Sequence, residues 1–254
     1  MTQDDPLSEV VDLPELRRAA SSLRHPLARA LLVLTFVSGL IDATTYLGLG
    51  HVFVANMTGN VLLLGFGIAG TGNLPVLAPL VSLACFLAGG VATGRICGGV
   101  GGRYHQLLLI GIAIEVAALL VATVLTAAVA VRTGHVSADL VIAVLALGMG
   151  VRNVTVRTLA VPDLTTTVVT STLAALASRS RLAGADGAGT ARRVAGAVAL
   201  ICGAVAGGLL IRTSLTLALA TATAFSAATL VAYRMLIPAW LQAPRAADAG
   251  GPRG

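Results

Sequence analysis

Residues 36–60 read FVSGLIDATTYLGLGHVFVANMTGN. The stretch starts as an apolar helix of membrane type and carries a carboxylate, Asp42, well inside it. It breaks at Gly48, Gly50 and His51 and resumes with the polar run Asn56, Thr58, Gly59, Asn60. A charge near the bilayer centre costs roughly 2.5 to 3.5 kcal/mol on insertion scales, so a carboxylate there marks a functional position by default. A segment that only had to cross a bilayer would carry none of these features.

The rest of the composition agrees. Of 254 residues, 56% are hydrophobic and 11% charged, and the mean hydropathy is +0.91. These values belong to an integral membrane protein and not to a soluble domain. The apolar runs are long and continuous instead of alternating every second residue, which predicts an all-α bundle in preference to a barrel. All 17 basic residues are arginine, and most lie in short loops between apolar runs. The net charge of +6 therefore reads as topology-setting and not as a nucleic-acid surface. Cys85, Cys97 and Cys202 lie in or beside apolar runs without CxxC or Cys/His spacing, so no disulfide, metal site or cofactor is expected.

In chain order, residues 1–27 form a polar tail, acidic first and then basic, of cytoplasmic type. Apolar runs follow at about 27–50, 52–70, 75–97, 107–131, 140–158, 164–177, 194–211 and 215–237, and residues 238–254 read as a disordered tail. If all eight runs cross, Arg95, Arg103, Arg152, Arg157 and Arg212 face outside. If 52–70 and 164–177 return to the side they entered from, only Arg132 and Arg212 do. The positive-inside rule prefers the second arrangement. The expectation is a polytopic transmembrane helical bundle of about six crossings plus two broken or re-entrant helices, with both termini cytoplasmic.

The order "spanning run, broken polar segment, spanning run, spanning run" occurs twice, over 28–131 and 138–237. Asp42 falls opposite Asn153 and Gly39 opposite Gly150 at an offset of 111. Cys85 and Cys202, Gly90 and Gly207, and Arg95 and Arg212 share an offset of 117. Three crossings per copy invert the second relative to the first. An inverted 3+3 repeat with interrupted helices at matching places is a common plan of secondary transporters, whose sites lie between the repeats.

The two stretches FVSGLIDATTYLGLGHVFVANMTGN and GMGVRNVTVRTLAVPDLTTTVVT resemble the signature regions of the YoaK family of bacterial inner-membrane proteins. The resemblance covers about 28–237. It implies a multi-helix protein of the bacterial cytoplasmic (inner) membrane, and no activity, because the family is described as a domain of unknown function. Where such proteins usually read Gln-Asn, this chain has Arg152-Asn153.

The candidate site residues follow from these patterns. Asp42 and Thr45 share a helix face with Ser38. Asn56, Thr58 and Asn60, and in the second copy Asp163, Thr165, Thr166 and Thr167, sit where half-helices begin and expose N–H groups. Glu115, Arg152 and Asn153 are the other polar groups placed inside apolar runs. Arg152, next to the counterpart of Asp42, could reach Asp42 across a pseudo-two-fold. Each candidate has a competing structural role: a helix-locking ion pair or hydrogen bond for Asp42, a snorkelling, topology-setting charge for Arg152 and Glu115, and capping for the asparagines and threonines. Gly90, Gly94 and Gly98, with Gly203 and Gly207, have GxxxG spacing, which close helix packing explains and which would also allow a homodimer. The expected function is a small-solute transporter or channel, with an unknown solute or ion as partner beside the lipid bilayer. A membrane scaffold ranks second. An intramembrane enzyme ranks last, because no nucleophile-base pair is evident and no catalytic residue is assigned.

Overall fold

The computed structural model describes residues 22–70, 72, 74–97, 104–159, 174, 177, 178 and 189–242. Their regular structure is entirely helical: α1 Pro26–Gly48, α2 Met57–Ile68, α3 Leu77–Cys97, α4 Tyr104–Ala128, α5 Val136–Leu159, α6 Thr190–Leu210 and α7 Leu215–Gln242. Six of these are long and apolar enough to cross a membrane; α2 is not. At 1.5 Å per residue its 12 residues reach about 18 Å, against a hydrocarbon core of about 30 Å. The expected segment 164–177 lies almost wholly outside the described residues.

Local chemistry sets the helix ends. α1 opens with Pro26 in its first turn, where no hydrogen-bonding N–H is needed, and His25 Nδ1 accepts from Leu27 N–H at 3.2 Å. That cap requires a neutral ring, and burial, reinforced by the neighbouring His105, pushes the His25 pKa down to about 4. α1 stops where Gly50 (φ 97°) and His51 (φ 59°) enter the left-handed region. Glycine adopts it freely; histidine does so at a cost. One boundary needs correction: the last helix runs to Gln242, through Pro238, five residues into the expected C-terminal tail. Membrane helices tolerate proline in this way when neighbouring groups satisfy the freed carbonyl.

Two apolar clusters mark the ends of the bundle. One joins Leu27, Leu31 and Leu34 to Leu108, Ile112, Val156, Leu159 and Tyr233, so the starts of α1 and α4 meet the ends of α5 and α7. The other joins Leu49, Val52 and Val54 to Ala78, Leu119, Ala138 and Leu219. Leu49 follows the end of α1 and Ala78 begins α3, yet both belong to the second cluster. α1 and α5 form the centre: 61% of each span is buried, against 28% for α3 and 17% for α6. Outward-facing Leu87, Val91, Ile201 and Val205 give α3 and α6 their apolar outer surface.

Glycine brings the central helices against their neighbours. A Cβ on Gly39 (α1) would fall on the Leu200 carbonyl oxygen of α6, and one on Gly203 (α6) on the Phe36 carbonyl of α1. The same exchange joins α5 to α3: Gly150 meets the Phe86 carbonyl, and Gly89 meets the Leu147 carbonyl. With backbone on both sides, nothing flexible can yield to a methyl group. Gly203→Ala is therefore expected to lower stability by about 1–3 kcal/mol or more. Gly196→Ala in the same helix, where nothing lies within 4 Å, should be neutral or stabilising by up to about 1 kcal/mol. Thermal unfolding of the two variants in detergent checks the contrast.

Candidate functional site

The chain between α1 and α2 leaves the helix over residues 52–55, and side chains supply hydrogen bonds to Phe53, Val54 and Ala55. Asp42 Oδ1 accepts from Val54 N–H at 2.9 Å and from Ala55 N–H at 2.8 Å. Asn56 then caps α2, its side chain accepting from Gly59 N–H at 3.3 Å. Asn60, fully buried, grips the backbone of Phe53 from both sides: Oδ1 accepts from Phe53 N–H at 2.9 Å and Nδ2 donates to Phe53 O at 2.6 Å. Ser82 of α3 completes this anchor, donating to Phe53 O at 2.7 Å and accepting from Asn60 Nδ2 at 3.0 Å.

These contacts divide the expected residues. Asn60 spends its polar atoms on the loop and on Ser82, a structural role. Thr45 is buried and donates to the Asp42 carbonyl at 3.3 Å, so it braces α1 and faces no cavity. Asp42, Asn56 and Thr58 do line one, a cavity of about 630 Å³ between α1, the loop, α2 and α6. Its wall also includes Ser38, Tyr46, Phe53 and Leu62. The rings of Tyr46 and Phe53 stack with centroids 4.9 Å apart, and His51 meets Tyr46 edge-on at 5.0 Å. Asp42 Oδ1 is committed to the loop, the Asn56 N–H also acts on the carboxylate, and the residue lines the cavity.

Behind Ser38 lies the second polar centre. Arg152 of α5, wholly buried, pairs with Glu115 of α4 at 3.0 Å, donates to the Leu34 carbonyl at 3.1 Å, and donates to Ser38 Oγ. Glu115 Oε1 also accepts from Ser226 of α7 at 3.4 Å. Four helices thus meet on one ion pair. Arg152 was expected to reach across to Asp42; it bonds instead to Glu115 and to Ser38, one turn before Asp42. Glu115 Oε2, Arg152 Nε and Thr155 Oγ1 are buried without a protein partner among the described residues.

Asn153 is half-buried beside Arg152 and has contacts of its own. Asp163, Thr165, Thr166 and Thr167 lie outside the described residues. Tyr46, Phe53, Ser82 and Ser226 were not anticipated as part of the site. Tyr46 had a signal, since it lies one turn after Asp42 on the same helix face; Phe53, Ser82 and Ser226 had none, because their positions depend on chain packing. Among the described residues no cluster of His, Cys, Asp or Glu could hold a metal ion.

Removing one member of a buried pair leaves the other charge uncompensated, at a cost of about 3–5 kcal/mol. Arg152→Leu and Glu115→Leu should each destabilise strongly, and the Arg152→Leu/Glu115→Leu double variant should be more stable than either. Denaturation of the three proteins in detergent gives the coupling; additive losses would mean that the two charges act independently.

The family described as "Protein of unknown function (DUF1275)" matches residues 30–232, from early α1 to late α7. Among curated proteins, the chain is similar to "UPF0700 transmembrane protein YoaK" of Bacillus subtilis (strain 168), 44% identical over 57 residues. That stretch is 22% of this chain and 25% of the relative, so the chain spans about a quarter of the curated relative it matches. No solved structure matches. With six apolar spans around a buried polar centre and a match across nearly all of them, the chain belongs to the DUF1275 family of multi-pass membrane proteins, to which the expected YoaK resemblance pointed.

Proposed function

We propose that the protein is a small-solute transporter or channel of the bacterial cytoplasmic membrane, not an enzyme, and that the Asp42 cavity is its solute site. The observation that carries this reading is the cavity itself: about 630 Å³, with an intramembrane carboxylate on its wall beside the start of a half-length helix. Irregular backbone at membrane depth is tolerated where it lines a cavity or is buried in protein. Intramembrane carboxylates mark solute and ion paths.

Two further arguments support the transporter plan. Leu49 and Ala78 share one apolar cluster, which favours α2 as a re-entrant segment returning to the side it entered from. The reciprocal glycine contacts favour two inverted repeats. Gly39 and Phe36 map onto Gly150 and Leu147 at an offset of 111, and Phe86 and Gly89 map onto Leu200 and Gly203 at 114. The offset of 117 read from Cys85/Cys202 and Arg95/Arg212 is then three residues out of register. Packing distinguishes registers that apolar helices leave ambiguous.

Orientation follows from charge. The end holding the start of α1 carries Arg24, Arg29, Arg95, Arg157, Arg192, Arg193 and Arg234, while the end holding Leu49 carries Arg132 and Arg212. The positive-inside rule makes the first end cytoplasmic. No GxxxxGK[ST] loop is present, so a gradient would drive any transport.

A scaffold reading has its own support in Asn60, whose saturated contacts serve the fold alone. One substitution separates the two. Asp42→Asn keeps one oxygen for the Val54 and Ala55 N–H groups, removes the charge and puts an amide NH2 in place of the other oxygen. In proteoliposomes screened with labelled amines, amino acids, organic acids and inorganic anions, wild type should move one class. Asp42→Asn should move it about tenfold more slowly or worse, a loss equivalent to about 1.4 kcal/mol, with its melting temperature little changed. Unaltered flux, or a variant that fails to fold, favours the scaffold.

A further inference from the structure

We propose that the Asp42 cavity binds an organic cation, an ammonium group attached to an apolar or aromatic body. The proposal rests on the solute-site reading above and names the class of ligand. It stands on three observations: which charges are already paired, what the walls are made of, and how large the space is.

The charges come first. Among the described residues Asp42 is the one charged side chain on the cavity wall. Arg152, behind the wall, acts on Asp42 through its field, but its contacts go to Glu115 at 3.0 Å and to the neutral groups Leu34 O and Ser38 Oγ. Glu115 thus matches most of its charge, and the Asp42 carboxylate makes no direct ion pair among the described residues. The N–H groups of Val54 and Ala55 and the N-terminus of α2 offset part of its charge, the helix end by about half a unit. The site keeps a net negative potential in a medium where a bare carboxylate is costly, and a cation in the cavity completes it.

The walls and volume then select among cations. A metal ion prefers several oxygen ligands at short range, and one carboxylate does not supply them. The cavity instead presents the stacked pair Tyr46 and Phe53, with Ala43, Leu47 and Leu62 on the remaining sides. Aromatic faces attract ammonium groups, most strongly where water is excluded. A space of about 630 Å³ is the size of a site for a small organic molecule. Ser38, Asn56 and Thr58 add neutral hydrogen-bonding groups that can orient polar substituents without adding charge.

The test compares three probes that share a phenyl ring and differ in charge, benzyltrimethylammonium, benzyl alcohol and benzoate, with Na⁺ and Mg²⁺ as inorganic cations. Binding is measured on purified full-length protein in detergent by equilibrium dialysis, with the melting temperature followed against concentration. Benzyltrimethylammonium should bind saturably and raise the melting temperature, whereas benzoate, benzyl alcohol and the metal ions should not. Asp42→Asn should weaken this binding about tenfold or more. Phe53→Leu, which leaves the backbone anchor at Asn60 in place, should weaken it about 3- to 30-fold. Preferred binding of benzoate or benzyl alcohol overturns the proposal, as does ammonium binding indifferent to both substitutions or no ammonium binding by folded wild type. Because binding is read without a sealed membrane, the two readings fail separately. Ammonium binding without flux removes the transporter and keeps the cation site; Asp42-dependent flux of an anion keeps the transporter and removes the cation.

Discussion

Buried backbone polar groups that leave a helix must find new partners, and this constraint governs the segment between α1 and α2. Residues 52–55 leave the helix, and Val52, Val54 and Ala55 are buried, so protein must meet their polar groups. Asp42 takes the N–H groups of Val54 and Ala55; Asn60 and Ser82 take both polar groups of Phe53. Hydrogen bonds to a charged acceptor contribute about 1.5–3 kcal/mol each, so Asp42 stabilises the break as well as charging the cavity. The same carboxylate therefore supports both the structural and the functional account, which is why an isosteric amide is more informative there than a truncation.

The Arg152 centre follows a different logic. Desolvating two charges costs several kcal/mol per ion, and a well-packed apolar replacement is often at least as stable. What the pair adds is specificity of arrangement: α1, α4, α5 and α7 all place a group on it, through Leu34 and Ser38, Glu115, Arg152 and Ser226. Apolar helices in lipid have little to fix their rotation against one another, and a shared buried charge does so. The orphaned Glu115 Oε2, Arg152 Nε and Thr155 Oγ1 show that this fit is incomplete.

Much of this was legible in the sequence because hydropathy and polar interruptions are local signals. The spans, the break after Gly48, the capping by Asn56 and the exceptional status of Asp42, Glu115 and Arg152 all follow from residue type and spacing. Partners across helices were not legible. Arg152 lies next to Asn153, the sequence counterpart of Asp42, which suggested Asp42 as its partner; the packing of α4 against α5 brings Glu115 to it first. If the halves are the inverted repeats proposed above, their register was illegible for a similar reason. Apolar helices align at several offsets, and only backbone contact at Gly89 and Gly203 distinguishes 114 from 117. Thr45 and Asp42 lie three residues apart on a shared face, and the orientation of that face sends Thr45 into the core and Asp42 to the cavity.

The glycine contacts make α1 with α6, and α3 with α5, closely packed pairs, because backbone against backbone leaves little freedom to slide. The loop leading into α2 is tied to each pair by a single polar anchor: Asp42 fastens it to α1, and Asn60 with Ser82 fastens it to α3. The anchors differ in chemistry. The Asn60 anchor is neutral, buried and saturated, so nothing entering the cavity competes for it. Asp42 shares one carboxylate between the loop and the cavity, so a ligand drawing on that charge alters the strength with which α1 holds the loop. If the cavity is a solute site, α2, fixed firmly on one side and adjustably on the other, would transmit its occupancy to the packing between the two pairs. A ligand can shift such an arrangement only by its differential affinity for the two states, and Asp42 is the residue through which that difference would enter.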